Sequence, residues 1–178
     1  MDFFSDLLRW IQEAAIKIGI ISDSHDNVPK IKAAIVFFNE KGVEAVLHCG
    51  DFVAPFSFIP FEELECGRLY AVFGNNDGEK KGLSRIAKSN GWRLEQGPME
   101  IELGGRKIAI MHEPDRLRGL IEKGVYDIIA SGHLHKAKIE KQNGALVINP
   151  GEAGGWTTGK ATVATVDLET MDAEICEI

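Results

Sequence analysis

Cysteine is scarce in this chain, and what there is forms no pattern. Cys49, Cys66 and Cys176 make an odd number, and no Cys-x-x-Cys pair occurs. That argues against a disulfide framework or a thiolate zinc site, and it fits a reducing cytoplasm. No stretch has the apolar length of a membrane span. Positive charge is in deficit: 20 Lys and Arg face 27 Asp and Glu, a formal net charge of -7 with a pI near 5.3. A broad surface for extended nucleic acid is thereby disfavoured. Small phosphate substrates stay allowed, because an acidic shell can enclose a locally positive metal site. Low-complexity linkers and internal repeats are also missing, so the 178 residues read as one domain.

What is present is an apolar fraction of 44%, enough for a substantial core. Residues 3 to 15 have the pattern of an amphipathic helix, with Phe3, Phe4, Leu7, Leu8, Trp10, Ile11, Ala14 and Ala15 on one side. A basic start and an uninterrupted apolar stretch are lacking, so it is not read as a signal peptide. Packing on its own domain is the first reading of the stripe, and contact with a second subunit is the next. A membrane surface is the weakest reading, because the polar face is acidic.

Strands are expected over Lys17 to Ser22, Val43 to His48 and Leu69 to Phe73. A helix lies between the first two, with Pro29 in its first turn, Ile31, Ala34, Ile35 and Phe38 as its buried stripe, and Gly42 as its stop. Residues Phe52 to Glu65 are mixed, with helix expected in the second half. A weak helix from Leu83 to Ser89 leads to a short strand at Trp92-Arg93-Leu94. Beyond that, Gly104-Gly105 and Asn143-Gly144 mark two hairpins, joining Met99–Leu103 to Arg106–Met111 and Lys136–Gln142 to Ala145–Ile148. Between the hairpins a helix near Leu117 to Lys123 precedes a strand from Tyr126 to Ser131. Strands over Ala161–Asp167 and Ala173–Ile178 close the chain. Alternating α and β first, mostly β later, suggests two sheets packed face to face with helices outside.

Residues of metal-ligand type recur at the downstream ends of five of these strands. They are Asp23-Ser24-His25, Gly50-Asp51, Gly74-Asn75-Asn76-Asp77, the lone His112, and Gly132-His133-Leu134-His135. Ligands of open α/β sheets gather at the carboxyl ends of strands. In extended chain, residues i and i+2 point to one side, so Asp23 can aim with His25, and His133 with His135. Histidine nitrogen with carboxylate and amide oxygen suits manganese, iron, cobalt, nickel or zinc, and suits calcium poorly. These are too many donors for one four-coordinate ion, whereas two ions sharing a carboxylate would use them all. His48 lies inside a strand and reads as a core or supporting residue. Asp77 reads as a turn former and Cys49 as a small buried neighbour.

Asp-x-His, Gly-Asp, Gly-Asn-x-Asp, a lone His and Gly-His-x-His, in that order from residue 17 onward, resemble the calcineurin-like metallophosphoesterase superfamily, and within it the small prokaryotic phosphodiesterases. The resemblance implies a four-layer α/β/β/α sandwich of two mixed sheets flanked by helices. It divides the chain into an extension, residues 1 to 16, and a single domain, residues 17 to 178. It also implies two divalent transition-metal ions, manganese first, with nickel, iron, cobalt or zinc as alternatives. Asp23, His25 and His135 would hold one ion, Asn75, His112 and His133 the other, and Asp51 would bridge them. A hydroxide shared by the ions would attack phosphorus, since metal coordination lowers the pKa of water from about 15.7 to near 7.

Many relatives carry a histidine, thought to protonate the leaving group or hold phosphate, where this chain has Asn76. Asparagine cannot be a general acid, so the proton would come from water, the substrate or a nearby carboxylic acid. The segment Asn149 to Trp156 also resembles this branch. Trp156 is read first as a packing residue and second as a platform for a base or aromatic leaving group. Arg116 and Arg118 are read as solvated charges, with phosphate as the lesser alternative. A phosphodiesterase acting on a small phosphate ester is the leading expectation. A phosphomonoesterase and a non-catalytic scaffold, like the retromer subunit of the same fold, are the alternatives. A homo-oligomer through the amino-terminal helix is the expected form of any partner.

Overall fold

The computed structural model describes residues 16–178, and the helix expected over 3–15 lies outside the described residues. In chain order the elements are β1 (Lys17–Ile21), α1 (Val28–Glu40), β2 (Ala45–His48), α2 (Pro55–Phe58), a 3₁₀ turn (Ile59–Glu63), β3 (Leu69–Val72), α3 (Lys80–Ser89) and β4 (Arg93–Glu95). The second half holds β5 (Met99–Leu103), β6 (Arg106–Ile110), a 3₁₀ turn (Pro114–Arg116), α4 (Leu117–Lys123), β7 (Ile128–Ala130), β8 (Lys138–Gln142), β9 (Ala145–Asn149), β10 (Thr162–Asp167) and β11 (Ala173–Glu177).

The strands form two mixed sheets, in the orders β11-β10-β1-β2-β3-β4 and β5-β6-β7-β9-β8. In the first, β1 to β4 run parallel and the last two strands are antiparallel additions. In the second, β6, β7 and β9 run parallel inside two antiparallel hairpins. The two-residue side-chain period then sorts the core. Ile18, Ile20, Ala45, Leu47, Cys49 and Val72 face the other sheet and meet Ile108, Ile110, Ile128, Ala130 and Ile148. The alternate residues of the first sheet, Ile21, Val46 and Ala71 among them, face α1, whose buried stripe is Ile31, Ala34, Ile35 and Phe38. On the outer face of the second sheet, Ala109, Met111 and Ile129 pack with Leu120 of α4. The result is the α/β/β/α sandwich.

Local chemistry accounts for the element ends. Asn27 caps α1 through Oδ1 on the Lys30 amide at 3.4 Å, and Pro29 occupies the first turn. Both hairpins turn on residues with positive φ: 54° and 71° at Gly104-Gly105, and 47° and 85° at Asn143-Gly144. The second half of the segment Phe52–Glu65 departs from a plain helix. Pro60 has no N–H to donate within a helix, so α2 stops after one turn and the chain continues as 3₁₀.

Gly19 is where β1 passes closely under α1. A Cβ there would lie 2.6 Å from Cε1 of Phe38, a ring with no exposed surface. Gly19→Ala is therefore expected to cost about 1–3 kcal/mol by overpacking. A thermal melt reads this as a fall of roughly 3–10 °C in Tm.

Candidate metal centre

The parallel strands β1, β2 and β3 of one sheet, and β6, β7 and β9 of the other, deliver their carboxyl-terminal loops to one edge of the sandwich. The first sheet contributes Asp23 and His25, Asp51 and Asn75. The second contributes His112, His133 and His135. All seven expected donors converge.

The backbone there is held in an unusual state. Nine non-glycine residues among those described have positive φ, and five are donors: Asp23 (53°), His25 (41°), Asp51 (61°), His133 (69°) and His135 (53°). Left-handed conformations cost a non-glycine residue energy and persist only where surroundings impose them. Here the β1–β2 ladder runs on past the sheet, with the amides of Asp23, His25 and Asp26 donating to the carbonyls of Gly50, Asp51 and Phe52 at 3.0, 3.0 and 3.1 Å. Asp77 fixes the next loop: its carboxylate accepts the amides of Asp51 (3.1 Å), Val53 (2.8 Å) and Gly74 (2.7 Å). Asp23 Oδ2 accepts the His133 amide at 3.0 Å and ties the two sheets together.

Two groups of donor atoms meet at Asp51. In one, His135 Nε2 lies 3.2 Å from Asp23 Oδ1 and 3.3 Å from His25 Nε2. In the other, Asn75 Oδ1 lies 2.8 Å from His112 Nε2 and 2.9 Å from His133 Nδ1. Asp51 Oδ2 stands between them, 3.6 Å from His25 Nε2 and 3.4 Å from His112 Nε2. Asp23 and Asp51 are buried, whereas Asn75 and His133 are exposed, so solvent reaches the centre from their side.

Hydrogen bonding sets which ring nitrogens are free. His112 Nδ1 donates to the Cys49 carbonyl at 2.8 Å, which leaves a lone pair on Nε2. In the neutral ring that lone pair, Asn75 Oδ1 and Asp51 Oδ2 are three acceptors crowded together. Burial disfavours a proton there, but the Asp51 carboxylate outweighs it and raises the His112 pKa, so the protonated ring donates to Asp51. His135 Nδ1 donates to Thr157 Oγ1 at 2.9 Å, and that hydroxyl donates to Glu152 Oε2 at 2.7 Å, so His135 Nε2 is also bare. It faces Asp23 Oδ1, a buried oxygen with no hydrogen-bond partner. Converging nitrogen and oxygen acceptors around a buried carboxylate oxygen without a partner, Asp23 Oδ1, suit a cation, so the residues fit divalent ions. Two carboxylate–histidine groups have ligand atoms within 4.8 Å of one another: Asp23, His25, His135, and Asp23, Asp51, His112.

Charge follows from surroundings. Burial pushes the Asp51 carboxyl up, but the His112 ring and both N–H groups of Asn76 outweigh it and hold Asp51 well below the usual carboxylate range. Burial raises Asp23 and Asp77. It lowers His48, which therefore stays neutral; His48 stacks on Phe52 at 3.7 Å and accepts the Gly50 amide at Nδ1. Burial also raises the Cys49 thiol far above its ordinary range, which removes it as a nucleophile.

Asn76 has a part that the sequence did not reveal. Its amide donates to Asp51 Oδ1 at 2.8 Å and its side chain to Asp51 Oδ2 at 2.7 Å, a two-handed grip on the central carboxylate. Glu152 was also missed. Buried, it accepts the amides of Trp156, Thr157 and Thr158 at 2.8, 3.0 and 3.0 Å, and the hydroxyls of Thr157 and Thr158. The signal available was one acid in a glycine-rich turn followed by Thr157-Thr158. Trp156 is 66% exposed rather than packed. The two arginines part company: Arg118 pairs with Glu122 on the surface, while Arg116 and Lys80 line a cleft of about 220 Å³ beside Asn75 and His112.

Residues 16–171 match the calcineurin-like phosphoesterase superfamily domain. A phosphodiesterase from Methanocaldococcus jannaschii is 40% identical over 160 residues, spanning 88% of this chain and 96% of the relative. A protein described as a probable metallophosphoesterase, from Methanothermobacter thermautotrophicus, is 32% identical over 166 residues, covering 89% and 90%. Among solved structures, that of an archaeal phosphodiesterase superposes with a TM-score of 0.87 at 37% identity, covering 92% of this chain and all of that one. Vacuolar protein sorting 29 from Cryptosporidium parvum shares the fold, with a TM-score of 0.59 at 19% identity over 92% and 97% of the two chains. The chain belongs to the calcineurin-like phosphoesterase superfamily. It is a metal-dependent phosphoesterase, with the α/β/β/α architecture of that superfamily.

Proposed function

We propose that this enzyme is a phosphodiesterase that cleaves small phosphate diesters with two divalent ions. Asp23, His25 and His135 would hold one, Asn75, His112 and His133 the other, and Asp51 both. The position of Asp51 Oδ2 between the two groups, 3.6 Å from His25 Nε2 and 3.4 Å from His112 Nε2, carries the reading. Bound ions of this kind supply Lewis acidity at phosphorus and an acidified water for in-line attack. Manganese is our first choice for such a mixed N/O set, with nickel, iron, cobalt or zinc behind it. The chain's own residues prepare the place. Thr157 and the Cys49 carbonyl orient the His135 and His112 rings. Asn76 orients Asp51. Lys80 and Arg116 line the adjoining cleft together with Glu113 and Asp115 and could meet the outer phosphate oxygens. We read residues 17–178 as one catalytic domain and residues 1–16 as an accessory segment. The free cysteines support a place in the reducing cytoplasm.

Turnover of a bis-aryl phosphate by the manganese-loaded protein, set against an aryl monoester, tests the reading. Faster monoester cleavage would turn it to a phosphomonoesterase, and failure on every ester would refute it. Asn76 grips Asp51 through its backbone amide and one side-chain N–H, and an amide N–H cannot be handed over as a proton to a departing alkoxide. Rates across a diester series are therefore expected to fall by about 10²–10⁴ from aryl to alkyl leaving groups, the usual worth of a general acid. A flat dependence would reveal a proton donor inside the site.

A further inference from the structure

Trp156 is an exposed indole that the protein nevertheless fixes in place. Its amide donates to Glu152 Oε1 at 2.8 Å, and Glu152 is buried. Its ring Nε1 donates to the carbonyl of His25 at 3.0 Å. The ring edge lies over Gly154, where an added Cβ would come within 3.0 Å of Trp156 Cδ1. One bond thus fixes the backbone, and the indole N–H bond with the Gly154 contact fixes the ring, of a residue that is 66% exposed beside the metal-centre loop of His25. A core-packing role is excluded by that exposure.

Ordering a large side chain costs entropy, and leaving its apolar face in water recovers nothing. The return comes when a flat group covers the ring, and every aromatic ring has a π-face suited to it. We propose that Trp156 is the stacking platform for a flat aromatic ring carried on the substrate's phosphate, a nucleobase being the biological form. This rests on the phosphodiesterase reading and narrows its substrate class to small nucleotide-like esters. The net charge of -7 keeps the occupant short, since a long polyanion would be repelled.

The test is competitive inhibition of bis-aryl phosphate turnover by the manganese-loaded protein. The inhibitors are adenosine monophosphate, phenyl phosphate, ribose 5-phosphate and inorganic phosphate. Trp156→Ala is expected to raise the inhibition constants of the two ring-bearing inhibitors by about 5- to 150-fold, the worth of one stacked ring. The constants for ribose 5-phosphate and inorganic phosphate should stay put, and Trp156→Phe should restore most of the ring preference. Equal changes for all four, or none, overturn the platform while leaving the phosphodiesterase standing. Failure of the wild type to bind inorganic phosphate or turn over any ester overturns both. A loss for adenosine monophosphate alone keeps the platform and specifies the base.

Discussion

Asp51→Asn is expected to lower kcat/KM for a diester by at least about 10³-fold and to cut the tightly bound metal from two ions per chain to one. The loss should exceed the roughly 10–100-fold typical of removing a partner that only orients a ligand. Among the described residues Asp51 Oδ2 is the one carboxylate oxygen within 3.6 Å of a ring nitrogen in both donor groups, and its negative charge is kept by His112 and Asn76. Asparagine preserves the size and removes the charge. It also sets an amide N–H against one of the two Asn76 donors, so one of them must turn away. Metal analysis after desalting, together with turnover at saturating manganese, reads both effects. Two retained ions with near-normal rates would refute the shared-carboxylate arrangement.

The second large effect is at Glu152. Glu152→Ala orphans the amides of Trp156, Thr157 and Thr158, and is expected to cost about 2–4 kcal/mol, or roughly 5–15 °C in Tm. Thr157 also loses the acceptor that directs its hydroxyl, so affinity for the ion near His135 should drop by about 10–100-fold in calorimetric titration. The acid limb of stability carries a signature. Burial works against the Glu152 carboxylate, but the backbone and threonine donors outweigh it and bring its pKa from 4.5 to about 2. The folded value lies below the unfolded one, so the contribution is complete above about pH 4.5 and disappears as pH falls toward 2. Urea melts of wild type and variant should therefore converge over that interval. A gap independent of pH would assign Glu152 a purely steric role.

Much of this could be seen in the chain before any coordinates. Ile31, Ala34, Ile35 and Phe38 announced α1 because burial of one helical face imposes the period. Gly104-Gly105 and Asn143-Gly144 announced hairpins because type I′ turns demand positive φ. The donors could be placed at strand ends because each follows an apolar run, and glycine at 50, 74 and 132 punctuates three of the five. What escaped was whatever depends on distant partners. Nothing near Asn76 indicates that both its donors go to a residue 25 positions earlier. The left-handed backbone at Asp23, His25, Asp51, His133 and His135 is likewise imposed by contacts between loops, and no local propensity encodes it. Pro60 is the opposite case: helix was expected there, although a local rule, no amide proton to give, already argued for the break that the structure shows.

The division of donors between the sheets would make each proposed ion a rivet. Two carboxylates, one amide and a single imidazole come from the amino-terminal half, and three imidazoles come from the carboxyl-terminal half. Neither half alone carries a complete set. On this reading cation capture would follow the closing of the two layers on each other, and the seated ions would then work against their parting. A cofactor recruited for chemistry then serves as the last fastening of the architecture that presents it.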